Sequence, residues 1–158
     1  MDDTHTTDGP APQVRPVDLR DYVRADGDPA QRVRVFATDH LAVDLWCIDP
    51  QAATPVLDLP TEDVVYTVLG GRSWFVTDDG DVGLDPLGAV LIPAGVIHGI
   101  DNRAPDPLIV VAVSSPPSPQ DEDPPVVRSD AAVRRDDEGP GPLRRALDRL
   151  LGGTRPRE

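Results

Sequence analysis

Short apolar runs with alternating polar positions dominate the middle of the chain. They are rich in β-branched and aromatic residues and have the length of strands. They lie at 32–37, 41–48, 64–69, 73–77, 89–93 and 108–113. Turn-forming pairs such as Asp49-Pro50 separate them. Because no helix of core length fits between Arg32 and Ser115, this pattern predicts an all-β sandwich or barrel.

The two ends of the chain lack this pattern. Residues 1–13 are polar and acidic and are predicted to be disordered, so that the domain itself occupies 14–115. Residues 116–141 form a Pro-rich acidic linker. In the segment 142–152, apolar residues recur at helical spacing, namely Leu143, Ala146, Leu147 and Leu150. This spacing predicts a short amphipathic helix that either docks weakly on the domain or frays, or binds a partner.

Composition narrows the range of functions. The 158 residues include 15 basic residues, all of them Arg, and 28 acidic residues, which gives a formal net charge of −13. Such a surface repels a phosphate backbone, so we expect no nucleic-acid partner. No apolar run approaches the roughly 20 residues that span a bilayer, and the acidic start does not resemble a secretory signal. We therefore expect a cytoplasmic protein with no membrane partner, and an edge strand makes a homodimer possible.

The most specific stretch of the sequence follows the fifth apolar run. It reads Pro93-x-Gly95-x-x-His98-x-x-x-Asn102. Pro93 ends a strand, and Gly95 permits a tight reversal of the chain. The chain is then expected to re-enter the sheet with His98 pointing inward, while Asn102 caps the turn that follows.

This stretch resembles the second motif of the cupins, which are small β-barrels whose interior usually holds a metal ion. The run from Asp63 through Tyr66 to Gly70-Gly71 is similar to the end of the family's first motif. The resemblance covers residues 30–115 and implies a single cupin-type antiparallel β-barrel (a jelly roll). The sequence is identified as a small single-domain cupin with a degenerate first motif.

The departure from the family lies in that first motif. The resemblance implies two His ligands before an acidic one, but these positions fall on Leu57 and Leu59, or on Val56 and Asp58. Of the usual three His ligands only His98 remains. The sequence therefore predicts no tightly bound transition metal and no other cofactor. The alternative is a weak, oxygen-rich divalent metal site. Its ligands would be His98, Asp63, Glu62 and Asp58.

Three functions remain open for such a barrel. The first is binding of a small molecule in the barrel. That pocket would be lined by Leu57, Leu59, Glu62, Val65, Thr67 and His98. The second is an isomerase, epimerase or cyclase, because metal-free cupin epimerases pair a barrel His with an Asp and a Tyr. Here those residues would be His98, Asp63 and Tyr66. The third is protein interaction through the C-terminal helix. The competing structural interpretation is that the two leucines fill the core and that His98 is a hydrogen-bonded core residue.

Overall fold

The computed structural model describes residues 11–24, 27–117 and 142–151, and these residues form almost only β-structure. A single 3-10 turn at Leu19–Tyr22 precedes the strands. The strands are β1 (Ala30–Ala37), β2 (Ala42–Ile48), β3 (Asp63–Gly70), β4 (Ser73–Thr77), β5 (Gly80–Leu84), β6 (Ala89–Ile92), β7 (His98–Asp101) and β8 (Leu108–Ser115). One helix, α1, spans Pro142–Leu151. The all-β prediction is confirmed.

The strands form two antiparallel sheets. The large sheet has the order β1-β2-β8-β3-β6, and the small sheet has the order β5-β4-β7. The segment before β3 extends the small sheet through two isolated bridges, from Ala53 to Asp101 and from Leu57 to His98. Strands distant in sequence thus become neighbours, as in a jelly roll.

Apolar side chains from the facing sides of the two sheets form the main core, which we call the interior. Alternation along β3 directs Val64, Tyr66 and Val68 inward. Phe75 and Ile100 meet them from the small sheet, and each is fully buried. The ring centroids of Tyr66 and Phe75 lie 5.1 Å apart, so the aromatic side chains bridge the two sheets.

A second, smaller core lies on the outer face of the large sheet. Leu45 and Cys47 of β2 are buried there with Val33 and Val35 of β1, beneath Tyr22 from the N-terminal turn. Burial raises the pKa of the Cys47 thiol. The N-terminal segment therefore covers the β1–β2 half of this face.

Two strands lie outside the predicted apolar runs. The run of β5, Gly-Asp-Val-Gly-Leu, contains two Gly, and its first four residues are exposed at the edge of the small sheet. The four residues of β7 follow the tight turn of the His98 motif. The predicted helix is present, and all strands in the described part of the chain lie within 14–115. Most of the predicted disordered start and linker lies outside the described residues. Within the described ranges, no helix has the length and apolar character needed to cross a membrane.

Candidate functional site

A buried hydrogen bond joins the two sheets at the position that the sequence motif indicated. The Tyr66 hydroxyl of β3 lies 2.7 Å from Nε2 of His98 at the start of β7. Tyr66 is 1% exposed and His98 is 3% exposed. The tight turn before β7 sets this geometry. Gly95 has a φ of 87°, and its N–H donates to the Leu59 carbonyl at 2.9 Å.

The second ring nitrogen of His98 fixes the direction of this bond. Nδ1 lies 2.9 Å from the Val96 carbonyl oxygen, which can only accept, so Nδ1 carries a hydrogen. In the neutral imidazole Nε2 is then an acceptor, and the Tyr66 hydroxyl donates to it. Both ring nitrogens are therefore engaged within the protein, while the Tyr66 oxygen retains the capacity to accept a hydrogen bond.

The strand register places Tyr66 in a row that crosses the inner face of the large sheet. Arg34 pairs with Asp44, Asp44 with Ala112, and Ala112 with Tyr66. Arg34 Nε donates to the Asp44 carboxylate at 2.9 Å, and Nη2 donates to its other oxygen at 3.3 Å. This ion pair is almost fully buried. In this row Ala112 lies between the ion pair and Tyr66.

Burial dominates the electrostatics of Tyr66. Loss of water raises the pKa of its hydroxyl well above the usual value. The positive charge of Arg32 opposes this shift, while the negative charges of Asp44 and Glu62 reinforce it. The Arg32 guanidinium lies 5.9 Å from the ring centroid of Trp46, on the inner face of β1 and β2. Tyr66 consequently keeps its proton and acts as a donor throughout the neutral pH range.

One further polar group of the interior has no partner. The hydroxyl of Ser114 on β8 is buried and makes no hydrogen bond in the described structure. Ser114 pairs with Val64 of β3, so it lies one row away from the row that contains Ala112 and Tyr66. A buried hydroxyl without a partner costs free energy, and a ligand could supply the missing bond.

Three residues predicted to face the pocket lie on the opposite side of β3, and this part of the prediction is corrected. Asp63 and Val65 are exposed, and Thr67 is half-buried on the same side. The Asp63 carboxylate accepts a hydrogen bond from the Ala94 N–H at 2.9 Å, outside the core. The reason is strand alternation: Tyr66 points inward, so its odd-numbered neighbours point outward.

The two leucines at the expected ligand positions do lie at the site. Leu57 forms a reciprocal backbone pair with His98, with N···O distances of 2.8 and 3.1 Å. Leu57 and Leu59 are half-buried and pack against the main core. Glu62 is buried, whereas Asp58 is exposed. The structure thus brings together His98, Tyr66 and the two leucines, with Glu62 acting electrostatically on Tyr66.

The residues at this site do not fit the metal that the fold family implies. Nε2 of His98 is bound to the Tyr66 hydroxyl, and the carboxylates of Asp58 and Asp63 are exposed to solvent. Within the described residues, no group of three or more His, Cys, Asp or Glu side chains is placed to hold an ion. The oxygen-rich ligand set predicted as an alternative is therefore not assembled.

A groove lies beside the buried pair. Its volume is about 680 Å³, and it runs along the start of β7 and the end of β4. Thr54, Val56, Thr77, Val96, Ile97 and His98 are among its lining residues. Its lining combines apolar side chains with the acidic residues Asp78, Asp79 and Asp101.

Sequence reasoning missed the buried ion pair and the free hydroxyl of the interior. A signal for the ion pair was available, because Asp44 shares a strand face with Trp46 and Ile48, both of which are buried. A charged residue at a buried position of the alternation requires a partner. Arg34, on the neighbouring strand β1, is that partner. Ser114 carried no comparable signal, because a Ser at the end of a strand is common at the surface.

Comparison with solved structures supports the same fold. A Thermus thermophilus protein is 27% identical, with 64% of this chain and 96% of that chain covered at a TM-score of 0.60. A protein with a double-stranded β-helix domain from Klebsiella pneumoniae is 24% identical, with 66% and 91% covered and a TM-score of 0.62. A sugar phosphate isomerase of the cupin superfamily from Silicibacter pomeroyi is 22% identical, with 65% and 67% covered and a TM-score of 0.52. No protein-family profile and no curated protein matches the sequence.

These likenesses and the two facing antiparallel sheets define a double-stranded β-helix protein. In that fold His98 is the first residue of β7, directly after the turn that contains Gly95. The chain therefore has the fold of the cupin proteins among these solved structures. Leucines occupy the two positions where the resemblance in sequence implied His ligands, and the Tyr66 hydroxyl is hydrogen-bonded to His98.

Proposed function

We propose that this cupin binds a small molecule beside the Tyr66–His98 pair, without a tightly bound transition metal. The observation that carries the proposal is the 2.7 Å bond between the Tyr66 hydroxyl and His98 Nε2. This bond fixes a protonated hydroxyl whose oxygen can accept from a ligand. It also occupies the nitrogen that a metal would need.

The surroundings of the pair indicate the chemistry of the ligand. Leu57 and Leu59 provide an apolar wall, and the Ser114 hydroxyl provides a donor and an acceptor that no described residue uses. Apolar walls with a few convergent polar groups are typical of small-molecule sites. The ligand is thus apolar over most of its surface and carries a hydroxyl or a comparable group that both donates and accepts. The groove beside His98 is its route of approach.

A metabolite screen by thermal shift and native mass spectrometry tests this proposal. A ligand at about 100 times its Kd stabilises the fold by about 2.7 kcal/mol, which is readily measured. Leu59→Asp should abolish binding because it places an unpaired charge against the ligand. His98→Ala should weaken binding by about 1–3 kcal/mol through loss of the group that orients Tyr66.

The matched control is Val65→Ala, because Val65 is the outward neighbour of Tyr66 on the same strand. It should leave the Kd unchanged. Failure of the whole screen to yield a stabilising ligand, together with a crystal structure showing a filled interior, would refute the binding function. Equal loss of affinity in Val65→Ala and His98→Ala would indicate that the ligand binds outside the interior.

An enzyme of isomerase or epimerase type is the second candidate, and the same buried pair favours it. A hydroxyl hydrogen-bonded to an imidazole is an arrangement that can deliver a proton and take one back. Asp63 has no part in this chemistry, because it lies on the outer face. If a ligand from the screen loses a C–H signal in D₂O in the presence of the protein, but not with Tyr66→Phe, the protein is an enzyme. A signal that persists with the parent protein identifies a binding protein.

A further inference from the structure

On the outer face of the large sheet, the side formed by β3 and β6 carries apolar side chains that no other described residue covers. Val65 and Leu69 of β3 are each 41% exposed, and Leu91 of β6 is 58% exposed. The register places Leu91 on one side of Val65 and Val113 of β8 on the other. We call the patch formed by Val65, Leu69, Leu91 and Val113 the bare face. The N-terminal turn lies over the other side of this sheet, where the outer core is formed mainly by β1 and β2 with part of β8.

The helix α1 has an apolar stripe that is also uncovered. Every residue of α1 is exposed. At 100° per residue, its apolar side chains fall within an arc of about 140°. They are Leu143, Ala146, Leu147, Leu150 and Leu151. The opposite side carries three Arg and one Asp, of which Arg144 and Asp148 form an ion pair at 3.1 Å. A helix of ten residues is marginal alone in water, so its stability requires packing of this stripe.

We propose that α1 docks its leucine stripe on the bare face of its own chain. The dimensions of the bare face match those of α1. From Val65 to Leu69 the strand rises about 13 Å, and three neighbouring strands are about 10 Å wide. A ten-residue helix is about 15 Å long and about 10 Å across. A stable dimer buries about 800 Å² per subunit, far more than this patch offers, so the bare face suits a helix better than a second domain.

The path of the chain supports docking within one molecule. Ser115, at the end of β8, pairs with Asp63 of β3, so the chain leaves the domain beside the bare face. The 24 residues at 118–141 can span at most about 80 Å, which is ample for α1 to return. Such a tether makes docking intramolecular, with an effective concentration in the millimolar range.

Charge favours the same contact. The polar side of α1 carries three Arg and one Asp. Residues 14–115 carry seven Arg and sixteen acidic residues, so the domain attracts a basic helix over a distance. The negative charge of the domain thus attracts α1, and the leucines of α1 form the contact with the bare face. This proposal does not depend on the ligand site, because the bare face and the interior are opposite sides of the large sheet.

Limited trypsin digestion of the full chain tests the proposal, because Arg144, Arg145 and Arg149 place cleavage sites within α1. Leu91→Asp on the bare face should raise the cleavage rate at these sites about tenfold or more. Leu147→Asp in α1 should do the same, and the double variant should show no further increase. The matched control is Leu87→Asp, a turn residue that is 87% exposed and lies outside the patch. It should leave the rate unchanged.

Cleavage after Arg103 within the domain reports whether a variant has loosened the whole fold, and mass spectrometry resolves the sites. Cleavage of α1 at equal rates in the parent, Leu91→Asp and Leu87→Asp proteins would overturn the proposal. Protection of α1 that increases with protein concentration, accompanied by a doubled mass in sedimentation, would also overturn it and would assign the bare face to a second copy. Protection that is independent of concentration and is lost in both single variants supports it.

Discussion

Replacing Tyr66 by Phe removes the hydroxyl that donates to His98 and leaves the aromatic ring in place. The packing against Phe75, with ring centroids 5.1 Å apart, is retained. The acceptor Nε2 of His98 is then buried without a partner, because the imidazole is only 3% exposed. Leaving a buried polar group unsatisfied costs about 1–3 kcal/mol. For a domain of about 100 ordered residues this lowers Tm by about 4–8 °C per kcal/mol.

The pH dependence of the stability difference between the parent protein and Tyr66→Phe is more diagnostic than its size. The pKa of Tyr66 is raised in the folded state, mainly by burial, so the folded protein holds this proton more tightly than the unfolded chain does. The stabilisation is therefore fully present below the unfolded pKa, near 10, and is lost as the pH rises above it. Relative to Tyr66→Phe, the parent protein should lose about 1.4 kcal/mol of unfolding free energy per pH unit above about 10. Cys47 also has a raised pKa, but it is common to both proteins and cancels.

Urea unfolding of both proteins between pH 7 and pH 11.5 measures the difference. Tyr22→Phe is the control, because Tyr22 is the only other tyrosine and lies in the outer core. It should cost less than Tyr66→Phe at pH 7. A destabilisation by Tyr66→Phe below about 0.5 kcal/mol, or one that stays constant up to pH 11.5, would refute the assignment of Tyr66 as a buried donor to His98.

Three further predictions follow from the packing. Asp44→Ala leaves the guanidinium of a buried pair uncompensated and should cost about 3–5 kcal/mol, whereas Asp85→Ala in an exposed pair should cost less than about 1 kcal/mol by urea unfolding. Elemental analysis should find no stoichiometric transition metal; about one ion per chain that is lost on His98→Ala would contradict this. Gly71→Ala should lower Tm more than Gly80→Ala, because both have positive φ but only the Cβ at Gly71 would lie 2.5 Å from a backbone oxygen.

The strands could be predicted from the sequence where alternation is supported by β-branched residues. This holds for β3, whose buried residues Val64, Tyr66 and Val68 alternate with more exposed ones, and for the apolar part of β8 that precedes Ser114. It does not hold for β5, where Gly80 and Gly83 give no packing signal. β5 is an edge strand with four exposed residues, and its partner is β4. This pairing is visible only in the folded structure.

The site was predictable in its residue types but not in its geometry. His98 and Tyr66 are both identified by motif resemblance, but they lie on different sheets and 32 positions apart. Asp63 and Tyr66 were assigned together, from the resemblance of one run of the sequence to the family's first motif. They are three positions apart on the regular part of β3, so strand alternation places them on opposite faces. Asp63 therefore lies outside and Tyr66 inside.

The Tyr66–His98 bond and the two leucines each oppose metal binding at this position, and substitutions can test how they are coupled. Restoring His at Leu57 and Leu59 would add two imidazoles to His98, but Nε2 of His98 would still be bound to Tyr66. The double variant must break that bond before a metal can bind. Adding Tyr66→Phe removes this cost of about 1–3 kcal/mol, so Zn²⁺ should bind about 5- to 150-fold more tightly to the triple variant. Calorimetric titration of both variants measures the ratio, and equal affinities would mean that the tyrosine hydroxyl does not compete with a metal.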